Sequence, residues 1–227
     1  MLLKNYKKKH SFISYSQSGE DLIIKFIFNH ILKQEKFNYF DVGANHPYHL
    51  SNTALFYDLG MNGVVIEPNF ILCKELLKYR KRDKVLNIGV SSSNVQNQML
   101  NFYRFNVDTI STFSEEEATR LSKMNHYKII DVKQIEVLCL NELFEKYFLP
   151  DFISIDVEGS DFDIIRSIDF NVFRPKVMCV ETSIHGGEKM GSKDFEIIDY
   201  LVKKNYINYG DTFNNTIFLD SKLIDQL

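Results

Sequence analysis

Two short segments of the sequence pair an apolar run with residues that could bind a ligand. Residues 40–45 pass from an aromatic stretch to Asp41 and Gly43, and residues 63–68 pass from an apolar stretch to Glu67. Glycine is a poor strand residue, so Gly43 is expected in a tight turn whose backbone approaches a ligand, because glycine has no Cβ. A glycine turn after one strand and an acid after the next is how α/β folds hold a nucleoside, the acid binding the ribose hydroxyls.

Acids also close two later predicted strands, at Asp156 and Glu181. In a parallel sheet the carboxyl ends of the strands share one edge, and open α/β folds bind their ligands there. Such acids can instead complement the dipole of the following helix. Four acids at strand ends, together with a glycine turn after the first strand, favour a binding site. Asp41, Asp156 and Glu181 are expected at the same relative position.

The residues after the glycine turn narrow the choice of ligand. A dinucleotide site needs the pattern G-x-G-x-x-G, so that a helix N-terminus can approach the pyrophosphate. Here Gly43 is followed by His46, Pro47, Tyr48 and His49, with no second or third glycine in the turn. These bulky residues would obstruct a pyrophosphate. The sequence therefore favours S-adenosylmethionine, and an NAD-dependent oxidoreductase is the weaker alternative.

The elements that carry these residues alternate between helices and strands, which predicts a parallel sheet with helical crossovers. Ser18 with Asp21 resembles a capping box at the start of a helix that runs to about residue 34. The predicted strands are 37–42, 62–66, 85–90, 152–156 and 176–181, followed by an antiparallel pair at 206–209 and 216–219 whose turn includes Gly210 and Asp211. The other predicted helices are 54–59, 70–81, 141–147, 162–168 and 193–204.

Residues 94–138 interrupt this alternation, and we interpret them as an insertion or an edge elaboration of the sheet, near the acceptor site. Neither an interdomain linker nor an internal repeat is found in the sequence. Residues 1–227 are therefore predicted to form a single domain.

Composition and charge exclude several classes of protein. The chain of 227 residues is 44% hydrophobic and 25% charged, as is ordinary for a globular protein. Its 27 basic and 30 acidic residues leave no basic stripe for a nucleic-acid partner. No apolar run approaches the ~18 residues that span a bilayer. Three cysteines without paired spacing fit a reducing compartment, so we expect a cytoplasmic protein with no membrane span.

Eight sequence blocks, in one order over residues 15–185, resemble the FkbM family of S-adenosylmethionine-dependent O-methyltransferases. The blocks are residues 15–22, 40–47, 51–53, 63–69, 87–91, 109–112, 152–159 and 180–181. The resemblance implies a Rossmann-like class I methyltransferase fold. That fold has a mostly parallel seven-stranded sheet with an antiparallel last strand and helices on both faces.

The resemblance also implies which residues hold the cofactor. Gly43 would lie against its methionine part, Glu67 would bind both ribose hydroxyls, and Gly89 would begin the segment that borders adenine. Residues 1–35 would form an N-terminal helix and lid, with Gln17 closing over the cofactor. The full implied set is Gln17, Asp41, Gly43, Asn45, Ser51, Asn52, Glu67, Asn69, Gly89, Val90, Ser91 and Asp156.

Methyl transfer to a hydroxyl needs in-line geometry and help in removing the proton. Asp156, Glu181 and His185 are the candidate catalytic residues. We prefer a site without a metal, in which Asp156 or His185 is the base, because histidine titrates near neutral pH. Two strand-end acids followed by Thr182 also resemble the magnesium site of catechol-type O-methyltransferases, so Mg²⁺ on Asp156 and Glu181 is kept as the alternative.

The acceptor is predicted from the polar and aromatic residues near the site. His46, Tyr48 and His49, together with residues 109–112, suit a sugar or another polyhydroxyl compound, free or linked to a nucleotide. We therefore predict an O-methyltransferase that acts on a sugar or a sugar-derived small molecule. A binding module that has lost turnover is the alternative from a different class. The sequence leaves the oligomeric state undetermined.

Overall fold

Helices and strands alternate around one large sheet in this computed structural model, which describes residues 11–92, 98–183 and 192–224. The helices are α1 (Glu20–Phe26), α2 (Ala54–Asp58), α3 (Phe70–Tyr79), α4 (Glu115–Ser122), α5 (Leu140–Lys146), α6 (Asp161–Arg166) and α7 (Phe195–Lys203). The strands are β1 (Tyr39–Val42), β2 (Gly63–Ile66), β3 (Lys84–Leu86), β4 (Gly89–Val90), β5 (Gln98–Phe105), β6 (Ile129–Leu138), β7 (Phe152–Ile155), β8 (Val177–Glu181), β9 (Tyr206–Asp211) and β10 (Asn215–Asp220). A π-helical turn (Ile27–Ile31) follows α1, and short 3-10 helices lie at Asp108–Ile110 and Ser221–Leu223.

The large sheet has seven strands in the order β3-β2-β1-β7-β8-β10-β9. Strands β3, β2, β1, β7 and β8 run parallel to one another, and β10 is antiparallel to both β8 and β9. This confirms the predicted sheet with an antiparallel last strand. The predicted turn residues Gly210 and Asp211 instead belong to β9, because the ladder with β10 extends to Asp211.

Helices cover both faces of this sheet, as predicted. Alternate residues of β1 enter two separate hydrophobic cores: Phe40 packs with residues of α5, α6 and α7, and Tyr39 packs with residues of α1, α2 and α3. Strands β1, β2, β7 and β8 are buried throughout. Burial on both faces explains why the central strands appear in the sequence as continuous apolar runs.

A second sheet of three strands, in the order β4-β6-β5, projects from the edge of the large one. The long antiparallel ladder between β5 and β6 carries α4, which packs its Ala118 and Leu121 on Phe105. The prediction of one strand over residues 85–90 is therefore wrong. The chain leaves the large sheet at Asn87, whose side-chain amide donates to the carbonyl oxygens of Glu67 (2.8 Å) and Pro68 (2.9 Å), and β4 joins the small sheet.

The first helix starts differently from the prediction. Its N-cap is Gly19, at φ 89°, with no side-chain cap, so the expected capping box of Ser18 and Asp21 is wrong. The carboxylate of Asp21 instead accepts from the backbone N–H of Tyr15 (2.7 Å) and the hydroxyl of Ser16 (3.0 Å). The α-helix is also shorter than predicted, since it passes into the π-helical turn after 7 residues. Asp21 thus fixes the segment before the helix.

Across the parts of the chain that the structure describes, the helices are all too short or too polar to cross a membrane.

Candidate functional site

A cavity of about 580 Å³ opens at the carboxyl edge of the large sheet. Its walls come from the ends of β1, β2, β7 and β8, from β4, and from α4. Strand β4 and α4 belong to the small-sheet region, by which we mean residues 89–92 and 98–138. The cavity is within the size range of small-molecule sites. Every residue of the predicted cofactor-binding set lines it except Asn69. The fold thus brings together residues that are far apart in the sequence.

Four residues form one row along the carboxyl edge of the sheet. Val42 is in register with Ile66 and Ile155, and Ile155 is in register with Val180. The residues that follow these four positions are Gly43, Glu67, Asp156 and Glu181. The expectation that Asp41 shares the level of Asp156 and Glu181 is therefore wrong, because β1 continues beyond its acid to Val42.

Asp41 is buried in a network of protein groups. Its carboxylate accepts from the Thr53 hydroxyl, which in turn accepts from the fully buried guanidinium of Arg80 at 3.0 Å. Arg80 also donates to the Pro47 carbonyl (3.1 Å) and pairs with Asp83 (2.8 Å). Burial raises the pKa of Asp41, opposed by the Thr53 hydrogen bond and the Arg80 charge. Asp41 borders the cavity and also ties the loop after β1 to the end of α3.

Gly43 is required by the protein backbone. At φ 81°, a Cβ at this position would lie 1.8 Å from the carbonyl oxygen of Asp156, on the neighbouring strand. The sequence attributed this glycine to the close approach of a ligand. The structure shows a further reason, because the missing side chain makes room for the strand beside it. Gly43 also lies on the cavity wall, so the approach of a ligand stays a prediction.

Glu67 is a buried carboxylate held by two backbone amides. Its Oε2 accepts from the N–H of Asn45 at 2.8 Å, and its Oε1 accepts from the N–H of Asn69 at 2.7 Å. Burial raises its pKa to about 7, although both amide bonds act in the opposite direction. A carboxylate oxygen can accept more than one hydrogen bond. Both oxygens of Glu67 can therefore also accept from a pair of ligand hydroxyls.

Two asparagines of the predicted cofactor set, Asn69 and Asn52, donate their side-chain amides to protein groups. Asn69 caps α3 through the N–H of Ile71 (3.1 Å) and donates to Asp108 of the small-sheet region at 2.9 Å. It therefore lies beside Glu67 but outside the cavity lining. Asn52 donates to the Ser154 hydroxyl at 3.0 Å and fixes the loop after β1 to the middle of β7.

The short strand β4 forms the cavity wall on the side of the small sheet. A Cβ on Gly89 would lie 2.4 Å from the Phe113 ring and 2.9 Å from a methyl group of Val137, so the small sheet packs directly on this glycine. The N–H of Ser91 donates to the Leu138 carbonyl at 3.0 Å and extends the pairing of β4 with β6. The predicted adenine-bordering segment thus belongs to the small sheet.

Three carboxylates meet on the opposite side of the cavity. Asp156, Glu158 and Glu181 each offer an oxygen, and these atoms lie within 4.8 Å of one another. Asp156 is open to the cavity but lies deep in the protein, and burial together with the nearby carboxylates of Glu181 and Glu158 raises its pKa well above the ordinary value. Such a cluster can share a proton or bind a cation.

Glu158 is the member of this cluster that the sequence reasoning did not identify. It adopts a left-handed conformation (φ 57°), and its carbonyl oxygen accepts from the Thr112 hydroxyl of the small-sheet region at 3.0 Å. The available signal was an acid two residues after a strand-ending acid and directly before Gly159. The candidate base His185 lies outside the described residues.

The segment that contains Gln17 borders the cavity. The Gln17 side-chain oxygen accepts from the amide of Asn214, in the loop between β9 and β10, at 2.6 Å. Two residues earlier, the Tyr15 carbonyl accepts from the N–H of Ser51 (3.0 Å) and the Tyr15 hydroxyl donates to Asp58 (2.6 Å). The segment is thus bonded both to the loop between β9 and β10 and to residues that follow β1.

A family model for the methyltransferase FkbM domain matches residues 41–208. The chain belongs to this family, which confirms the predicted methyltransferase class. The match begins at Asp41, so the segment with Gln17 precedes it. A search among curated proteins finds no match.

Proposed function

We propose that the chain is an S-adenosylmethionine-dependent O-methyltransferase. Its acceptor would be a hydroxyl of a sugar or of a sugar-derived building block of a polysaccharide, glycan or natural product. The observation that carries this proposal is Glu67, a buried carboxylate on the cavity wall with one backbone amide on each oxygen. It is a fixed acceptor for the two hydroxyls of a ribose.

The charged and hydrogen-bonding groups around the cavity fit S-adenosylmethionine better than a dinucleotide. The carboxylates of Glu67, Asp156 and Glu181 at the carboxyl edge of the sheet suit a cofactor that carries a positive sulfonium. A pyrophosphate would need free backbone amides, and those of Tyr48 and His49 donate to the ring Nδ1 of His46 at 3.2 and 2.9 Å. The N–H groups of Gly43 and Ala44 donate to the Ile66 carbonyl.

The acidic side of the cavity supplies a base for the reaction. S-adenosylmethionine, when bound, provides an electrophilic methyl group. Asp156 would accept the proton of the acceptor hydroxyl, because its pKa is raised toward the range in which a general base works best. Glu158 and Glu181 would hold that proton within the cluster.

A magnesium ion is the second candidate on this side, because three carboxylate oxygens converge there. Turnover that persists in EDTA is the result expected for the site without metal. Loss of turnover in EDTA with recovery on adding Mg²⁺ would instead assign the cluster to the ion.

Calorimetric titration with S-adenosylhomocysteine, and in parallel with NAD, tests the proposal. We expect micromolar binding of S-adenosylhomocysteine that falls about 100-fold in Glu67→Ala, because two charge-assisted hydrogen bonds are lost. Glu116→Ala, at an exposed acid on α4, is the control and should bind normally. Binding of NAD instead, or of neither nucleotide, contradicts the proposal. If the cofactor binds but no acceptor is ever methylated, the alternative of a binding module holds.

We also propose a cytoplasmic location and a small-molecule acceptor. The three cysteines are free and buried, as suits a reducing compartment. The net charge of −3 gives no support for a nucleic-acid acceptor.

A further inference from the structure

The cavity is far more acidic than the chain as a whole. The chain has 27 basic and 30 acidic residues. Among the described residues that line the cavity, eight are aspartate or glutamate, and Arg120 alone is lysine or arginine. This excess of acid therefore comes from the fold, which turns carboxylates toward one space.

Arg120 does little to offset these carboxylates. Its Nε donates to one carboxylate oxygen of Glu117 at 2.7 Å, and its Nη2 donates to the other at 2.5 Å. The two residues are one turn apart on α4 and form a two-point ion pair. The one lysine or arginine charge among the described lining residues is thus already paired within its own helix.

The carboxylates are spread over several sides of the cavity. Glu67 lies at the end of β2, Asp156 and Glu181 lie at the ends of β7 and β8, and Asp108 comes from the small-sheet region. Glu117 also lines that side, but its charge is offset by Arg120. Carboxylates around a cleft focus a negative potential into it. A ligand of net negative charge would therefore be repelled by carboxylates on several of the described walls of the cavity.

Seven backbone amides in the turns after β1 and β7 do not substitute for cations, because protein acceptors already occupy them. Phosphates are often bound by free N–H groups at turns and helix N-termini. The turn amides after β1 and β7 donate instead to acceptors within the protein. The amides in question are Gly43 and Ala44 (to Ile66), Asn45 (to Glu67), Tyr48 and His49 (to His46), and Val157 and Gly159 (to Asp161).

We propose that the cavity selects its occupants by net charge, admitting neutral, zwitterionic or cationic compounds and rejecting compounds of net negative charge such as phosphate esters. S-adenosylmethionine satisfies this rule, because its ammonium and sulfonium groups outweigh its one carboxylate. The acceptor is then a free polyhydroxyl compound, uncharged or amine-bearing. A phosphorylated or nucleotide-linked sugar is excluded. This inference rests on the proposed function, because it concerns the acceptor of the same site.

Three adenosine compounds that carry a neutral, a cationic or an anionic group at the 5′ position test this selection by charge. Adenosine, 5′-amino-5′-deoxyadenosine and adenosine 5′-monophosphate are titrated against S-adenosylhomocysteine by competition calorimetry. The amine should bind at least as tightly as adenosine, and the monophosphate at least about tenfold more weakly. Raising sodium chloride from about 50 mM to about 500 mM should narrow this difference, because salt screens the charges.

Two variants, each of which removes one negative charge, provide a matched comparison between the cavity wall and the exposed face of α4. Glu158→Gln removes a carboxylate from the cavity wall, and Glu116→Gln removes one from the exposed face of α4. The ratio of amine to monophosphate affinity should fall several-fold in Glu158→Gln and remain at the wild-type value in Glu116→Gln. Equal effects of the two variants would overturn the inference.

The outcomes separate the two proposals. If S-adenosylhomocysteine does not bind, the proposed function fails, and the inference fails with it. If it binds while the monophosphate competes as well as adenosine, only charge selection is overturned. In turnover assays, methylation of a hexose phosphate or a nucleotide-linked hexose as fast as the free hexose would overturn it too.

Discussion

On the β2 side of the cavity a single carboxylate, Glu67, has one backbone amide on each oxygen. On the β7–β8 side three carboxylates, Asp156, Glu158 and Glu181, converge within 4.8 Å. Both sides lie at the same edge of one sheet and both are acidic. Fixed amide donors orient Glu67, whereas mutual repulsion contributes to the raised pKa of Asp156.

This difference separates binding from chemistry. A carboxylate oriented by backbone amides has a fixed position and can select a ligand by its hydroxyl geometry. A crowded group of carboxylates lowers its free energy by taking up a proton or a cation. It is therefore suited to accept a proton during the reaction.

The largest expected effect is the loss of stability when alanine replaces Gly43, compared with the same change at Gly159 beside the three-carboxylate cluster. Gly43→Ala should destabilise the fold by about 4 kcal/mol or more, because the new Cβ would overlap the Asp156 carbonyl. Gly159→Ala is the matched control: Gly159 also has a positive φ (103°), but a Cβ there meets nothing within 4 Å. Backbone strain alone should cost about 1 kcal/mol. Urea denaturation measures both, and equal losses would show that strain, not the neighbouring strand, demands Gly43.

The next largest effect is the loss of cofactor affinity at low pH, which we expect from protonation of Glu67. Its pKa is raised to about 7, and only the ionised form accepts from both hydroxyls. Below that pKa, binding must first remove a proton. The affinity for S-adenosylhomocysteine should therefore fall about tenfold from about pH 8 to about pH 6. Calorimetry across this range measures it. Glu67→Gln should bind weakly with a flat profile, and an unchanged slope in that variant would assign the titration to another group.

A smaller effect is expected on the free energy of unfolding when one carboxylate of the Asp156, Glu158 and Glu181 cluster is removed. A carboxyl whose pKa is raised on folding costs stability as pH rises above its unfolded value, and Asp156 is such a group. Glu158→Gln relieves part of that cost. Its melting temperature should exceed the wild type by about 2–4 °C at about pH 8, for a gain of about 1 kcal/mol. The gain should fade as the pH falls below about 4, because the Asp156 carboxyl is then increasingly protonated in the unfolded state as well as in the folded one. A loss of stability at high pH would mean that Glu158 holds a stabilising contact.

The smallest effect concerns the hydrogen bond between Gln17 and Asn214, two residues that line the cavity. Gln17→Ala should weaken S-adenosylhomocysteine binding about two- to fivefold, the value of one exposed hydrogen bond. Asn214→Ala removes the partner of the same 2.6 Å bond. The double variant should then be no weaker than either single one in calorimetry. Additive losses, or unchanged affinity in Gln17→Ala, would contradict a closing role for this segment.

Much of the fold was predictable because the central strands are short apolar runs between turn residues. The split of residues 85–90 between two sheets was not, since both halves are apolar and only the side chain of Asn87 marks the break. The start of α1 was also missed. Ser18 and Asp21 have the spacing of a capping box, but Asp21 bonds backward to Tyr15 and Ser16 instead.

The sequence by itself determined that acids follow apolar strands and that a glycine follows the first of them. Local pattern decides both, because each depends on residues a few positions apart. The tertiary structure alone decided what each acid does. The amide of Asn45 reaches Glu67 across 22 residues of chain, and Glu158 joins Asp156 and Glu181 through a left-handed turn. These partners depend on strand register, and a shift of one residue would turn each side chain to the opposite face.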